Sequence, residues 1–191
     1  MPLPEPTSAR TLKHTRTLSV ASYRRDDGLW DIDAHLTDIK PMDIQLESGM
    51  RAAGSPVHDL WLRITVSTDF SIVDAQASAD AVPYPGICNT ITPDYKKLIG
   101  LNLIHGFRLG LKERLAGTSG CTHLTELAQV LPTVAIQGFS GEFFATHDSA
   151  VEGAETKKPF QIDRCHALRS DGPAVATYYP RWAAIKPTGT S

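Results

Sequence analysis

Three separated points in the chain carry side chains able to ligate a metal. The stretch Gly54-Ser-Pro-Val-His58-Asp59 runs into an alternating apolar segment, Cys88 follows the turn Pro83-Tyr-Pro-Gly86, and Cys121 and His123 follow Gly120. Thiolate and imidazole are donors that zinc and iron accept. Cys121 stands where a helix should open, and unpaired N–H groups there favour the thiolate, which is both the ligand form and the nucleophile. No C-x-x-C pair is present, so the expectation is that these separated points converge on one metal in space. Cys165 and His166 are adjacent and cannot readily serve one ion together; burial as a small thiol is expected there. His14, His105 and His147 show no partner pattern and are expected at the surface.

The elements that must position these residues begin with strands. Leu12, Leu18 and Val20 share a parity, with His14 and Arg16 between them, and Asp26-Asp27-Gly28 reads as a hairpin turn. On the return strand Trp30, Ile32, Ala34 and Leu36 share one face, and Asp31, Asp33, His35 and Thr37 share the other. That second face is either a solvated acidic face or the wall of a cleft reached by Asp33 and His35. Residues 41–56 read as a connection. A strand over Asp59–Ser67 puts Leu60, Leu62, Ile64 and Val66 on one face, with Trp61, Arg63 and Thr65 on the other. A turn at Thr68-Asp69 leads to a strand over Ser71–Ala79, whose small residues Val73, Ala75, Ala77 and Ala79 anticipate close packing. Four strands joined by hairpins predict an antiparallel meander.

Helices follow. Thr92-Pro93-Asp94 predicts a short helix ending at Gly100, with Thr92 as N-cap. Phe107, Leu111 and Leu115 recur every fourth residue and predict a second. A longer one starts near Thr122, with Leu124, Leu127, Leu131 and Val134 on its buried side and a kink at Pro132. Residues 138–158 read as a loop. The expected fold class is α+β, an antiparallel meander of about four strands covered by helices on one face. Residues 1–10 are expected to be loose, residues 11–191 to form a single domain, and the aromatic tail 159–191 to pack over its body.

The 191 residues, 41% hydrophobic and 21% charged with a formal net charge of −2, describe an ordinary globular chain. That charge gives no support to a nucleic-acid or membrane surface. No apolar run is long enough for a bilayer span, and the start lacks a signal-peptide core. Three scattered cysteines do not make a disulfide framework, so a reducing cytoplasm is the expected location.

Most of the chain resembles a bacterial family catalogued as a domain of unknown function, DUF2889. The resemblance is carried by His14-Thr-Arg16, by Tyr23-Arg-Arg-Asp-Asp-Gly-Leu-Trp-Asp31, by Gly120-Cys-Thr-His-Leu-Thr-Glu126 and by Arg164-Cys-His-Ala-Leu168. It implies almost nothing about mechanism. Residues 54–135 also resemble the NifU N-terminal, IscU-like iron–sulfur scaffold fold, through Gly54-Ser-Pro56-Val-His58-Asp59, Ile72-Val-Asp74-Ala75, Cys88, Leu98-Ile-Gly100 and Cys121. That resemblance implies an IscU-like core and a site of His58, Cys88 and Cys121, with Asp59 or His123 as a fourth ligand.

His58 in place of a scaffold cysteine makes cluster assembly less natural and suits a single divalent metal, zinc before iron. The expected function is a metal-dependent lyase or hydrolase acting on a small organic compound, aromatic compounds included. Asp33, His35 or Asp59 would serve as general base. Arg25, Arg63 or Lys40 would hold an anionic oxygen. Tyr84, Tyr178, Tyr179 and Trp182 would suit a flat substrate. The alternatives are a metal or iron–sulfur carrier and a binding module with a structural zinc. A homo-oligomer is compatible with all three.

Overall fold

A computed structural model of the chain describes residues 3–142 and 158–184. The chain forms two compact units, Met1–Gly138 and Phe139–Ser191. His147 and most of the expected loop at 138–158 lie outside the described residues.

The first unit is built on an antiparallel sheet. Strand β1 (Thr15–Arg24) pairs with β2 (Trp30–Ile39) in unbroken register, and the turn closes with Gly28 N–H donating to the Arg25 carbonyl. The connection after β2 contains a small ribbon of β3 (Ile44–Leu46) and β4 (Gly49–Arg51). Strands β5 (Pro56–Val66) and β6 (Ile72–Ala81) complete a four-stranded sheet in the order β1-β2-β5-β6. The expected meander is therefore present, with the ribbon inserted at its middle. Strand β5 begins earlier than its hydrophobic alternation suggests. It starts at Pro56, so His58 sits inside it rather than before it.

One face of the sheet is the core. Trp30, Ile32, Ala34 and Leu36 of β2 and Leu60, Leu62, Ile64 and Val66 of β5 are all buried. In β6 a register shift near Val66 skips Val73, leaving it exposed while Ile72 and Ala75 are buried. A 3₁₀ helix over Cys88–Leu98 packs against β6 and buries Tyr95 and Leu98. It starts before the expected Thr92 cap and carries Pro93 within it, so the capping signal marks no helix start here. Helix α1 (Phe107–Leu115) buries Phe107, Leu111 and Leu115 as its periodicity anticipates.

Helix α2 (Thr122–Phe139) runs through Pro132 and buries Leu124, Leu127, Ala128, Leu131 and Ala135, with Val134 only half-buried. It lies along the core face, antiparallel to β2: His123 meets the Asp38 end of that strand, and Gly138 backs onto Ser22 near Trp30 at the other end. In the second unit α3 (Pro173–Tyr178) and a 3₁₀ turn at Pro180–Trp182 gather Ile162, Val175 and Tyr179 into a small core, with Leu168, Trp182 and Ala183 against it. Cys165 and His166 are exposed, which corrects the expected burial: they sit on a turn outside this core. Among the described residues, no helix is long and apolar enough to cross a membrane.

Candidate metal centre

Asp38 continues the buried parity of Trp30, Ile32, Ala34 and Leu36 and is itself buried, 4% exposed. A carboxylate on the core face of a sheet must be matched by donors. Strand register supplies them. Arg16 of β1 and His58 of β5 lie directly opposite Asp38 on its two sides, making one row across three strands. Arg16 donates Nε to Oδ1 and Nη2 to Oδ2, both at 2.8 Å. His58 Nδ1 stands 2.9 Å from Oδ2, and His14 Nε2 stands 2.7 Å from Oδ1. Arg16 Nη1 also reaches Glu126 of α2.

His123 closes the group from above. It stands in the first turn of α2, its Nε2 3.8 Å from Asp38 Oδ2 and its ring 3.8 Å from the His58 ring, centroid to centroid. The start of α2 is pinned in place by Tyr95, whose hydroxyl donates to the Cys121 carbonyl at 2.8 Å and accepts from Cys121 N–H at 3.1 Å. Gly120 precedes it because a Cβ there would collide with the Leu115 carbonyl. Asp38, His58 and His123 each offer a ligand atom within 4.8 Å of the other two.

The electrostatics favour donor forms. Burial works against an ionised Asp38, yet hydrogen bonds from Arg16 and His14 overcome it and hold the carboxyl far below the usual carboxylate range. Burial, helped by the charge of His123, pushes His58 down, against the pull of Asp38. Burial and the Arg16 charge push His123 down. Neutral imidazole and ionised carboxylate are the forms able to ligate a metal. Asp38 already accepts four bonds, about its full capacity. With Nδ1 of His58 facing the carboxylate, Nε2 keeps the lone pair, the arrangement in which a carboxylate orients a ligating imidazole.

Of the residues singled out from sequence, His58 and His123 belong to this group and Cys88 does not. Cys88 sits half-buried at the start of the 3₁₀ helix. Cys121 is beside the group, its Sγ 3.9 Å from His123 Nδ1. Asp59 is not a co-ligand with His58: the two are neighbours on one strand and point to opposite faces.

Asp59 instead meets His35 on the far face, Oδ1 to Nε2 at 2.6 Å. Asp33 and Arg63 pair there as well, so the sheet separates all four expected catalytic side chains from Asp38. Arg25 pairs with Asp27 and Asp31 at the first hairpin. Lys40 follows β2 and is half-buried, and Tyr84 is 48% exposed. In the second unit Tyr178 is exposed while Tyr179 and Trp182 pack in its core. His105 and His14 are both at the surface as expected, and His14 has the partner its sequence context did not show, Asp38. Sequence reasoning missed Asp38, Arg16 and His14. The available signal was parity: His14, Arg16, Asp38 and His58 all extend the apolar faces of their strands.

The fold and this cluster define an α+β protein with an antiparallel sheet whose core face ends in a two-histidine, one-carboxylate group. Residues 14–137 match the sequence profile of a family described as protein of unknown function (DUF2889), and the chain belongs to that family. No curated protein matches the chain, and no solved structure does.

Proposed function

We propose that this protein is a metal-dependent enzyme, a lyase or hydrolase acting on a small organic compound, and that Asp38, His58 and His123 form its metal site. The observation that carries the reading is the convergence of these three donors within 4.8 Å of one another at the first turn of α2. Zinc is the preferred ion and iron the second choice, since imidazole and carboxylate suit both. Ligand atoms around a tetrahedral ion stand about 3.3 Å apart. His58 and Asp38, at 2.9 Å, are at proton-sharing distance, so Asp38 would ligate a metal by giving up that contact, and would otherwise orient His58 as its ring ligates through Nε2.

Bound there, a metal would polarise a carbonyl oxygen or activate water. Arg16 would hold Asp38 ionised and oriented. Glu126, tied to Arg16 and with its side chain 43% exposed, is the carboxylate able to take up or release a proton at the rim.

A second reading is a metal or iron–sulfur carrier with an IscU-like core. It is supported by Cys121 Sγ, a sulfur donor 3.9 Å from Nδ1 of His123. A binding module with a structural zinc would need four protein ligands, and Cys121 is the nearest candidate.

Metal analysis of the purified protein tests these readings. Stoichiometric zinc or iron, lost in His58→Ala and in His123→Ala and retained in Cys88→Ser, is the expected result. Retention in Cys121→Ser favours an enzyme with an open position; loss favours the carrier or structural site. A folded protein that takes up neither Zn²⁺ nor Co²⁺ on titration would overturn the metal site altogether.

A further inference from the structure

The face of the sheet turned away from Asp38 carries a second set of side chains that the metal cluster does not use. His35, Trp61 and Ser78 form one cross-strand row on it, and Asp33, Arg63 and Gln76 form the next. His35 stacks on the Trp61 indole, with centroids 3.8 Å apart and planes 8° from parallel. Asp59 anchors His35 from behind. On the strand at the other side of the indole stands Ser78, too small to cover the ring. A groove of about 270 Å³ opens there, lined by Asp33, Trp61, Arg63, Gln76 and Ser78 among others. Trp61 remains 41% exposed.

The charges around this groove are closed on themselves. Arg63 donates Nε and Nη2 to the two oxygens of Asp33, each at 2.6 Å. His35 is paired with Asp59. Gln76 Nε2 donates to Asp74. Arg63 Nη1, Gln76 Oε1 and Ser78 Oγ have no hydrogen-bond partner among the described residues. One flat apolar surface is thus bordered by a free donor, a free acceptor and a hydroxyl that can be either.

We infer that this groove binds a neutral saccharide, one sugar ring lying on the open face of Trp61. The C–H face of a pyranose is flat and apolar and stacks on an indole, while its hydroxyls need the mixed donors and acceptors at the border. A carboxylate or phosphate ligand would require an unpaired cation, and Arg63 is already neutralised by Asp33. The platform is rigid, because every residue in it stands on a sheet strand and His35 holds the indole from its other side. The site is independent of the metal reading, since the sheet lies between them.

The full-length protein, titrated with methyl β-glucoside, maltose and cellobiose, tests this by following tryptophan indole N–H signals in NMR. One of the three tryptophan signals should move saturably with at least one sugar, and that signal should be the one missing in Trp61→Ala. Trp61→Ala should weaken binding roughly tenfold or more, as loss of an aromatic anchor does. Ser78→Phe, which fills the groove while leaving Trp61 in place, should abolish the shift with no change in melting temperature or metal content. Benzoate should give no saturable shift at Trp61. Silence with all three sugars, binding that survives Ser78→Phe, or a response to benzoate alone would overturn the proposal.

Discussion

Arg16 and Asp38 face each other across β1 and β2 and are joined by two parallel bonds, Nε to Oδ1 and Nη2 to Oδ2, both 2.8 Å long. The pair is a fork-to-fork contact in which each oxygen also serves a histidine. Removing Asp38 takes the shared acceptor from Arg16, His14 and His58 and leaves Arg16 paired with the more exposed Glu126. Asp38→Ala should therefore cost about 3 kcal/mol, lowering the melting temperature by roughly 6–12 °C for a chain of this size. Melting in the presence of a chelator checks the figure without a contribution from metal. An unchanged melting point there would mean the carboxylate is not holding this corner of the sheet.

The two central histidines give stability a definite pH dependence. Burial, named first among the causes, depresses both His58 and His123 below the ordinary imidazole value. The unfolded chain then binds protons at a higher pH than the folded one, so acid favours unfolding. Their contribution is complete above about pH 6.5 and is lost as pH falls through the lower folded values. Asp38, also depressed, adds a loss of the same sign below the ordinary carboxylate range. Urea midpoints of metal-free protein should fall between pH 7.5 and 5, and the His58→Gln, His123→Gln double variant should flatten that fall. An equal slope in the double variant would place the acid sensitivity elsewhere.

Tyr95 produces the opposite limb. Its buried hydroxyl bridges the 3₁₀ helix to the Cys121 backbone and to Thr125, 2.9 Å away. Burial pushes its pKa up to about 12. The folded state thus keeps a proton that the unfolded chain releases near pH 10, and stability declines as pH rises from there toward the folded value. Tyr95→Phe should cost about 1–2 kcal/mol at neutral pH, the scale of a buried hydrogen bond whose partners are left wanting. It should also reduce the alkaline decline. Because these bonds hold the first turn of α2, the same variant should weaken Zn²⁺ uptake through His123.

Much of the fold was legible in the chain. Period-two alternation placed the four long strands, the turn chemistry of Asp26-Asp27-Gly28 placed the first hairpin, and the four-residue spacing of Phe107, Leu111 and Leu115 placed α1. The boundaries that failed have physical causes. Strand β5 starts at Pro56, and Val57 falls out of phase with the alternation from Leu60 to Val66, so the strand was read from Asp59 and His58 was left before it. Thr92-Pro93 has the chemistry of a helix start, but the chain had already turned into a 3₁₀ helix after Gly86. The cluster of Asp38, His58 and His123 was half legible. His58 and His123 were named for their types and spacing, whereas Asp38 gave no such sign. A carboxylate that continues an apolar face looks like the strand's polar end until cross-strand register puts Arg16 and His58 on either side of it. Cys121 was named for its place at a helix N-terminus and Cys88 for its company with other soft donors, and neither reason says which element faces which.

Gly138 offers the most direct check on how α2 lies over the sheet. A Cβ built at this position would collide with the Ser22 side chain, and Trp30 stands just beyond. The helix therefore approaches β1 as closely as a glycine permits. Gly138→Ala would ordinarily favour a helix by about 1 kcal/mol. Here overpacking should reverse the sign and destabilise by roughly 1–3 kcal/mol. Ser22→Gly removes the colliding atoms, so the double variant Gly138→Ala, Ser22→Gly should recover most of the loss relative to Ser22→Gly alone. Denaturant midpoints of the four proteins close the cycle. If Gly138→Ala alone stabilises the protein, α2 does not lie against β1 at this end, and the path that brings His123 down onto Asp38 would have to be redrawn.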